Sequence, residues 1–438
     1  MIMKRTVTML LVAAFVASLA VSVAAATWNY VGTSAFTTTP SLNQDYKRIK
    51  LNSIAVDASG NVYATATNGN NEGTNAGGLT IFKAGGGKID INLNALGFQG
   101  GVTKLVTAGD GKVYALQNWL EAEWNYDTGI DSRILRINPN GTVDVKYNAG
   151  NNGAWNAPKY RINGMAVGGD GNIYFTRDGS DSYYKYHYLW RYDVASGQVE
   201  EAPINVSNNG WSETHRINDL EYVGNNRFAI IKMNTDAKWR ADVISWTSNR
   251  QIAPNGPSEP GWGRDWCLGT AYDAVNNMLW TAARGRSNRL ILSRWNGTPG
   301  AGGLFVDDAG NGIVSNSVWH SPFDADLGTI WWVSALAADP YAGGVLMAYG
   351  INSPTNPIGG YRGHVVRYDA ALNLIDEGVP EAGADVVALG FGNGGAYALV
   401  LNNTTGAYSL YTTVPEPTGL LALGTGLISL IGVIRRRK

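Results

Sequence analysis

The residue types that run hydrolytic and metal chemistry are present in this sequence, but scattered. His187, His215, His320 and His364 stand far apart, with no HExxH pair or other spacing that would bring two imidazoles to one metal. No Gly-x-Ser-x-Gly exists to raise a serine on a strained turn. The acid pairs Glu121/Glu123, Asp178/Asp181 and Asp324/Asp326 are of the right type for glycoside hydrolysis. That chemistry needs two carboxyl groups about 5–10 Å apart, and acids this close in polar sequence are first of all solvated loop residues. Gly390-x-Gly392-x-x-Gly395 matches a dinucleotide-binding pattern, yet it lies between two strand-like runs with no helix to present to a phosphate, so it reads as a hairpin turn. "DASGN" and "GGDGN" carry too few spaced carboxylates for a calcium loop. No catalytic residue, metal ligand or cofactor is assigned.

One positional pattern remains. "NSIAVDASGNVYATAT" (52–67) recurs as "NGMAVGGDGNIYFTRD" (163–178), and looser copies begin at residues 103, 218, 268, 334 and 386. Superimposing them puts Lys50, Arg161 and Arg216 in one slot, two residues before the asparagine that opens the innermost strand in the aligned repeats, Asn52, Asn163 and Asn218. Trp266 and Trp332 fill it in two other copies. A ring of three cations and two indoles would suit an anionic or hydroxyl-rich ligand, through charge-assisted hydrogen bonds and stacking. These side chains would equally serve to plug a channel or to pair with acids such as Asp219.

The elements that must position this slot are strands. Each copy alternates apolar and polar residues, turns on Asp, Gly or Asn, and continues into a second strand centred on an aromatic or aliphatic residue, which is a hairpin signature. A third strand follows each hairpin, as in "SRILRINPNG" (132–141) and "HVVRYDAA" (364–371). The 55 glycines, 15 tryptophans and 22 tyrosines fit short strands and tight turns. Seven such units predict an all-β chain and a β-propeller of seven blades. An eight-blade count or tandem β-sandwiches are the alternatives. The last unit stops after its third strand, and "TWNYVG" (27–32) alternates suitably to complete it and close the ring.

The ends differ from this body. Lys4 and Arg5 precede an apolar run, and Ala24 to Ala26 offer a small-x-small cut with Ala24 and Ala26 at its key positions, so residues 1–26 read as a cleavable signal peptide. At the other end, Thr418 to Ile434 is a mostly apolar run, about 25 Å long as a helix. Arg435, Arg436, Arg437 and Lys438 close it, a stop-transfer arrangement under the positive-inside rule. Without these two segments, the chain holds 28 bases against 34 acids, a net charge of −6. That gives no support for nucleic-acid binding. Cys267 is the single cysteine, so no disulfide forms within the chain.

Val-Pro-Glu-Pro, a glycine-containing apolar run and Arg-Arg-Arg-Lys resemble the PEP-CTERM sorting signal of exosortase substrates. The resemblance covers residues 414–438, with Pro415, Glu416 and Pro417 as the motif and Thr418 where serine is common. It implies passage through the Sec translocon, a transient stay at the inner membrane of a Gram-negative bacterium, handling by an exosortase, and a cell-surface or extracellular destination. A plain C-terminal anchor is the alternative. The body, 27–413, is similar in a general way to NHL-type propellers. By analogy with polysaccharide producers, an extracellular polysaccharide or surface protein is the expected partner, bound by a non-catalytic or structural propeller. A secreted polysaccharide lyase or glycosidase is the alternative.

Overall fold

The computed structural model describes residues 24–37, 52–66, 77–98, 101–118, 132–149, 162–178, 187–205, 216–233, 239–246, 266–284, 290–296, 318–320, 332–350, 363–402 and 404–413. Among them every regular element is a β-strand. All seven sequence repeats form antiparallel hairpins, from Ile54–Val56 with Val62–Ala66 to Asp385–Gly392 with Gly395–Leu401. Four sheets have four strands each; the first runs Ile54–Val56, Val62–Ala66, Gly78–Phe82, Lys88–Asn92 in spatial order.

Two sheets depart from that plan. The sixth repeat has a fifth, two-residue strand, Ala24–Ala25, lying parallel to its outer strand Leu374–Gly378. The expected cut after Ala26 would therefore fall between this strand and Trp28–Thr37. The fourth and fifth repeats join into one seven-stranded sheet, but only through a single parallel pair, Trp239 with Trp266.

The innermost strand of each repeat is the first one. Ile54–Val56, Gly101–Thr107, Ile162–Val167, Arg216–Tyr222, Trp266–Asp273, Trp332–Ala338 and Asp385–Gly392 each neighbour the next, and the last lies against the first. Apolar layers fill the space between neighbouring sheets. Between the first two repeats Tyr63, Leu79, Ile81, Leu105, Val113 and Leu135 are all buried. Each such side chain contributes roughly 1.5–3 kcal/mol of burial.

The last sheet is completed from the other end of the chain. Trp28–Thr37 pairs antiparallel with Ala407–Thr413, so that Trp28 faces Thr413 and Tyr30 faces Tyr411. Trp28 packs into the apolar layer between the sixth and seventh repeats. Tyr30 does not share that cover, for it stays 60% exposed, its ring in edge contact with Tyr411 and its hydroxyl 2.8 Å from Thr33 Oγ1.

Candidate binding site at the open end of the repeats

The two ends of the inner hairpins are built differently. At one end the hairpin turns close on one another. The backbone N–H of Ala58 donates to Gly111 O (3.1 Å), and that of Gly109 donates to Gly171 O (2.8 Å). Gly344 N–H donates to Asp273 Oδ2 (2.6 Å), Gly394 N–H to the Tyr341 hydroxyl (3.0 Å), and Asn393 Nδ2 to Gly60 O (3.2 Å). Close backbone approach demands glycine here. A Cβ on Gly171 would sit 2.8 Å from Gly109 Cα, and its φ of 78° already excludes most side chains.

The aspartates of this closed end are occupied by the turns themselves. Asp57 accepts the N–H groups of Ser59 and Asn61, the Asn61 amide and the Tyr63 hydroxyl, all within 3.0 Å. Asp110 and Asp170 likewise accept the hydroxyls of Tyr114 (3.1 Å) and Tyr174 (3.0 Å). Burial together with the Asp170 hydrogen bond pushes the Tyr174 hydroxyl up to about 12. Burial raises Asp170, yet the hydrogen bonds from Asn172 and Tyr174 outweigh it and hold the carboxyl below its ordinary value. Tyr63 and Tyr114 are pushed up strongly by burial and their aspartate partners. These carboxylates serve as acceptors within their own turns. Among the described residues no cluster of three His, Cys, Asp or Glu could hold a metal ion.

At the opposite, open end the inner strands begin, and most of the longer connections in the sequence start and finish there. Arg216, Trp266 and Trp332 are each the first residue of an innermost strand. Each lies two residues before a β-bulge, because Asn218, Leu268 and Ser334 have no partner in the register. The same bulge falls at Thr103, Asn163 and Val387. Asn163 and Asn218 thus do not open their strands, as the sequence alignment had them, but occupy the bulge. An extra residue there bends and twists the strand entry. Lys50 and Arg161 lie outside the described residues, as do Pro415, Glu416, Pro417, Arg435, Arg436, Arg437 and the acid pairs apart from Asp178.

The bulge also identifies residues that the sequence reading missed. Two positions before Val387 stands Asp385, so the slot holds a carboxylate as well as cations and indoles. Arg284 is paired opposite Trp266. Arg177, opposite Ile162, donates to the Tyr147 hydroxyl (2.8 Å), and its guanidinium lies 4.8 Å from the Trp190 ring centre. Arg133 at the same end of the second repeat donates to Gln117 Oε1 (3.3 Å) and lies 5.6 Å from the Phe98 ring centre. The signal for Arg177 was its place at the end of "NIYFTRD", the strand that returns to the open end. Arg133 and Arg177 lie against aromatic rings at this end, and the register places Arg216, Arg284, Asp178 and Asp385 at the same end of their strands. Such a surface can hold anions by charge-assisted hydrogen bonds and sugar or planar groups by stacking.

His364 is held elsewhere, its Nδ1 2.7 Å from Glu377 Oε1 in the outer half of the sixth repeat. Gly390-x-Gly392-x-x-Gly395 forms the seventh hairpin turn, with Gly392 paired to Gly395.

No family profile matches the sequence, and no curated protein is similar to it. Solved structures do share its fold. A streptogramin B lyase matches with a TM-score of 0.50 at 12% identity, over 88% of this chain and 97% of that one. Raptor of Chaetomium thermophilum matches with a TM-score of 0.50 at 12% identity, over 89% of this chain and 30% of that one. A chain of the mitotic checkpoint complex matches with a TM-score of 0.50 at 11% identity, over 90% and 95% of the two chains. At such identities the likeness establishes an all-β, propeller-like fold, one shared by a lyase and by a chain of the mitotic checkpoint complex.

Proposed function

We propose that this protein is an exported seven-bladed propeller, sorted to the cell surface through its C-terminal segment, that binds an anionic, hydroxyl-rich polysaccharide at its open end. The closed succession of seven innermost strands supports the blade count, with the seven-stranded sheet dividing into two blades at the lone Trp239–Trp266 pair. The observation that carries the binding reading is the setting of Arg133 and Arg177 against aromatic rings at the end where the register also places Arg216 and Arg284, on a body whose net charge is −6. Fields from like charges add in a concave, low-dielectric setting even where the whole molecule has the opposite sign.

Sorting rests on residues 414–438 and their likeness to exosortase substrates, with export through the Sec translocon directed by residues 1–26 and cleavage behind Ala26. Among the described residues no helix is long and apolar enough to cross a membrane, and the segment at issue lies outside them. Binding of the surface-purified protein to an array of acidic and neutral glycans tests the reading. Salt-sensitive retention of acidic polymers supports it, and equal indifference to all of them overturns it. Depolymerisation of a bound glycan would favour the polysaccharide-cleaving alternative.

A further inference from the structure

Thr413, the last described residue, leaves the body at the closed end. Its Oγ1 accepts the N–H of Ala396 (3.0 Å), and the Thr412 hydroxyl donates to Ala396 O (3.0 Å). Ala396 begins just past the seventh hairpin turn, whose Gly394 N–H donates to Tyr341 Oη in the turn of the sixth. That turn lies in its own right against the fifth, where Gly343 meets Asn276 and Gly344 binds Asp273. The turns of the fifth, sixth and seventh repeats therefore form one continuous surface reaching to the chain exit.

Two large apolar side chains stand out on that surface, Val275 at 52% and Tyr341 at 54% exposure. Only Val414 to Pro417 separate Thr413 from the apolar run. Four extended residues reach at most about 14 Å. Those four include two prolines, which stiffen the link further. Of the partly exposed carboxylates at the closed end, Asp110 and Asp170 belong to the second and third repeats, away from the exit, and Asp369, beside Gly344 in the sixth, accepts from the N–H groups of Ala371 and Asn373 and from the Asn373 amide.

We propose that the closed end is a membrane-facing surface. While the C-terminal segment is anchored, the turns of the fifth to seventh repeats rest on the phospholipid headgroups through Val275 and Tyr341, and the arginine-bearing open end points away from the bilayer. This rests on the reading of residues 418–434 as a membrane segment. Tyrosine suits the site because its ring enters the interface while its hydroxyl keeps a polar partner. The short link restricts rotation, so the contact is nearly intramolecular and needs little affinity of its own.

The test uses the full chain in phosphatidylcholine vesicles containing brominated lipid, with Cys267→Ser as background and a bimane label on Tyr341→Cys or Asn148→Cys. Asn148 is exposed and ends a strand at the open end, opposite Arg133. Quenching at least threefold stronger at position 341, and lost when the chain stops at Thr413, is the expected result. Equal quenching at both positions, or stronger quenching at 148, overturns the proposal while leaving the anchor intact. A chain that fails to float with the vesicles overturns both. Should the labelled variants misfold, hydrogen exchange on the unmodified chain supplies the same comparison. Slower exchange at 341–344 and 393–395 in vesicles supports the contact, and unchanged exchange there refutes it.

Discussion

Trp28 stands directly opposite Thr413, so the first strand of the last sheet begins where its final strand ends. The indole also lies against Gly378 of the sixth repeat, where any Cβ would meet the ring nitrogen at 2.9 Å. One side chain thus fastens two neighbouring sheets at the point where the succession of repeats closes. Trp28→Ala should cost about 2–3 kcal/mol, since a half-buried indole leaves a cavity that the sheets cannot fill. Tyr30→Ala should cost about 1 kcal/mol or less, the value of an exposed edge contact. Denaturant unfolding of the two variants checks the contrast. Equal losses would mean that the closing strand is held by its backbone alone.

The Asp57 turn should be the most sensitive of the inner hairpins. Asp57→Ala leaves the N–H groups of Ser59 and Asn61 and the Tyr63 hydroxyl without their acceptor inside a buried turn. Each orphaned donor costs about 1–3 kcal/mol, though relaxation spares part of that sum. Tyr63→Phe removes one donor only and should cost about 1–1.5 kcal/mol. Thermal melts of both variants, with the alanine change the more severe, are the expected outcome.

Stability should fall at both ends of the pH scale for separate reasons. Burial raises Asp90, but hydrogen bonds from Lys88, Thr80 and the Ala35 N–H hold its carboxyl below the ordinary range. A carboxyl depressed on folding contributes stability above its unfolded value near ~4 and loses it as pH falls through the folded value. Asp90→Asn should therefore flatten the loss of unfolding free energy below about pH 4. Tyr174, pushed up to about 12 by burial and Asp170, works in the other direction. Its contribution is whole below the ordinary tyrosine value near ~10 and disappears as pH rises through the folded one. Tyr174→Phe should show a shallower alkaline decline.

At the open end, Arg161→Ala combined with Arg216→Ala should weaken binding of an acidic polysaccharide tenfold or more, about 1.4 kcal/mol. The melting temperature should stay near that of the parent. The loss should shrink as salt rises, because the screening length falls to about 3 Å at 1 M. Trp332→Ala should weaken binding by an amount that salt does not reproduce. Titrations at two ionic strengths separate the terms. A double variant that loses stability and keeps its ligand would assign the arginines to internal pairing.

Replacing Pro415, Glu416 and Pro417 by alanines should leave the full-length chain in the inner membrane, since the apolar run would still anchor it. Fractionation reads the outcome directly. Normal arrival at the surface would show that the triplet is no address.

The hairpins were legible in the sequence because alternation and turn residues are local properties that each repeat states again. The slot of Arg216, Trp266 and Trp332 was legible for the same reason, as a fixed offset from a recurring position. The bulge behind it was not, since Asn218, Leu268 and Ser334 share no residue type, and a skipped register leaves no mark in composition. Asp385 escaped with it, for its repeat has valine where others have asparagine. Arg177 with Trp190 and Tyr147 escaped because the contact joins three strands whose approach only folding decides. The same holds for Tyr30, which alternates like Trp28 but finds no neighbour deep enough to cover it.

The exit of the chain beside its own beginning also determines how the body bears load. A pull applied to the tail, against a polymer held at the open end, runs along Ala407–Thr413. That strand is hydrogen-bonded on both flanks, to Gly395–Leu401 and to Trp28–Thr37. Bonds in such a ladder stand perpendicular to the strand, so an axial pull shears them together. A pull between the two termini instead peels Trp28 from Thr413 and opens the pairs one after another. Loaded between its tail and its open end the body would be a stiff link, and pulled by its two ends it would be a zip.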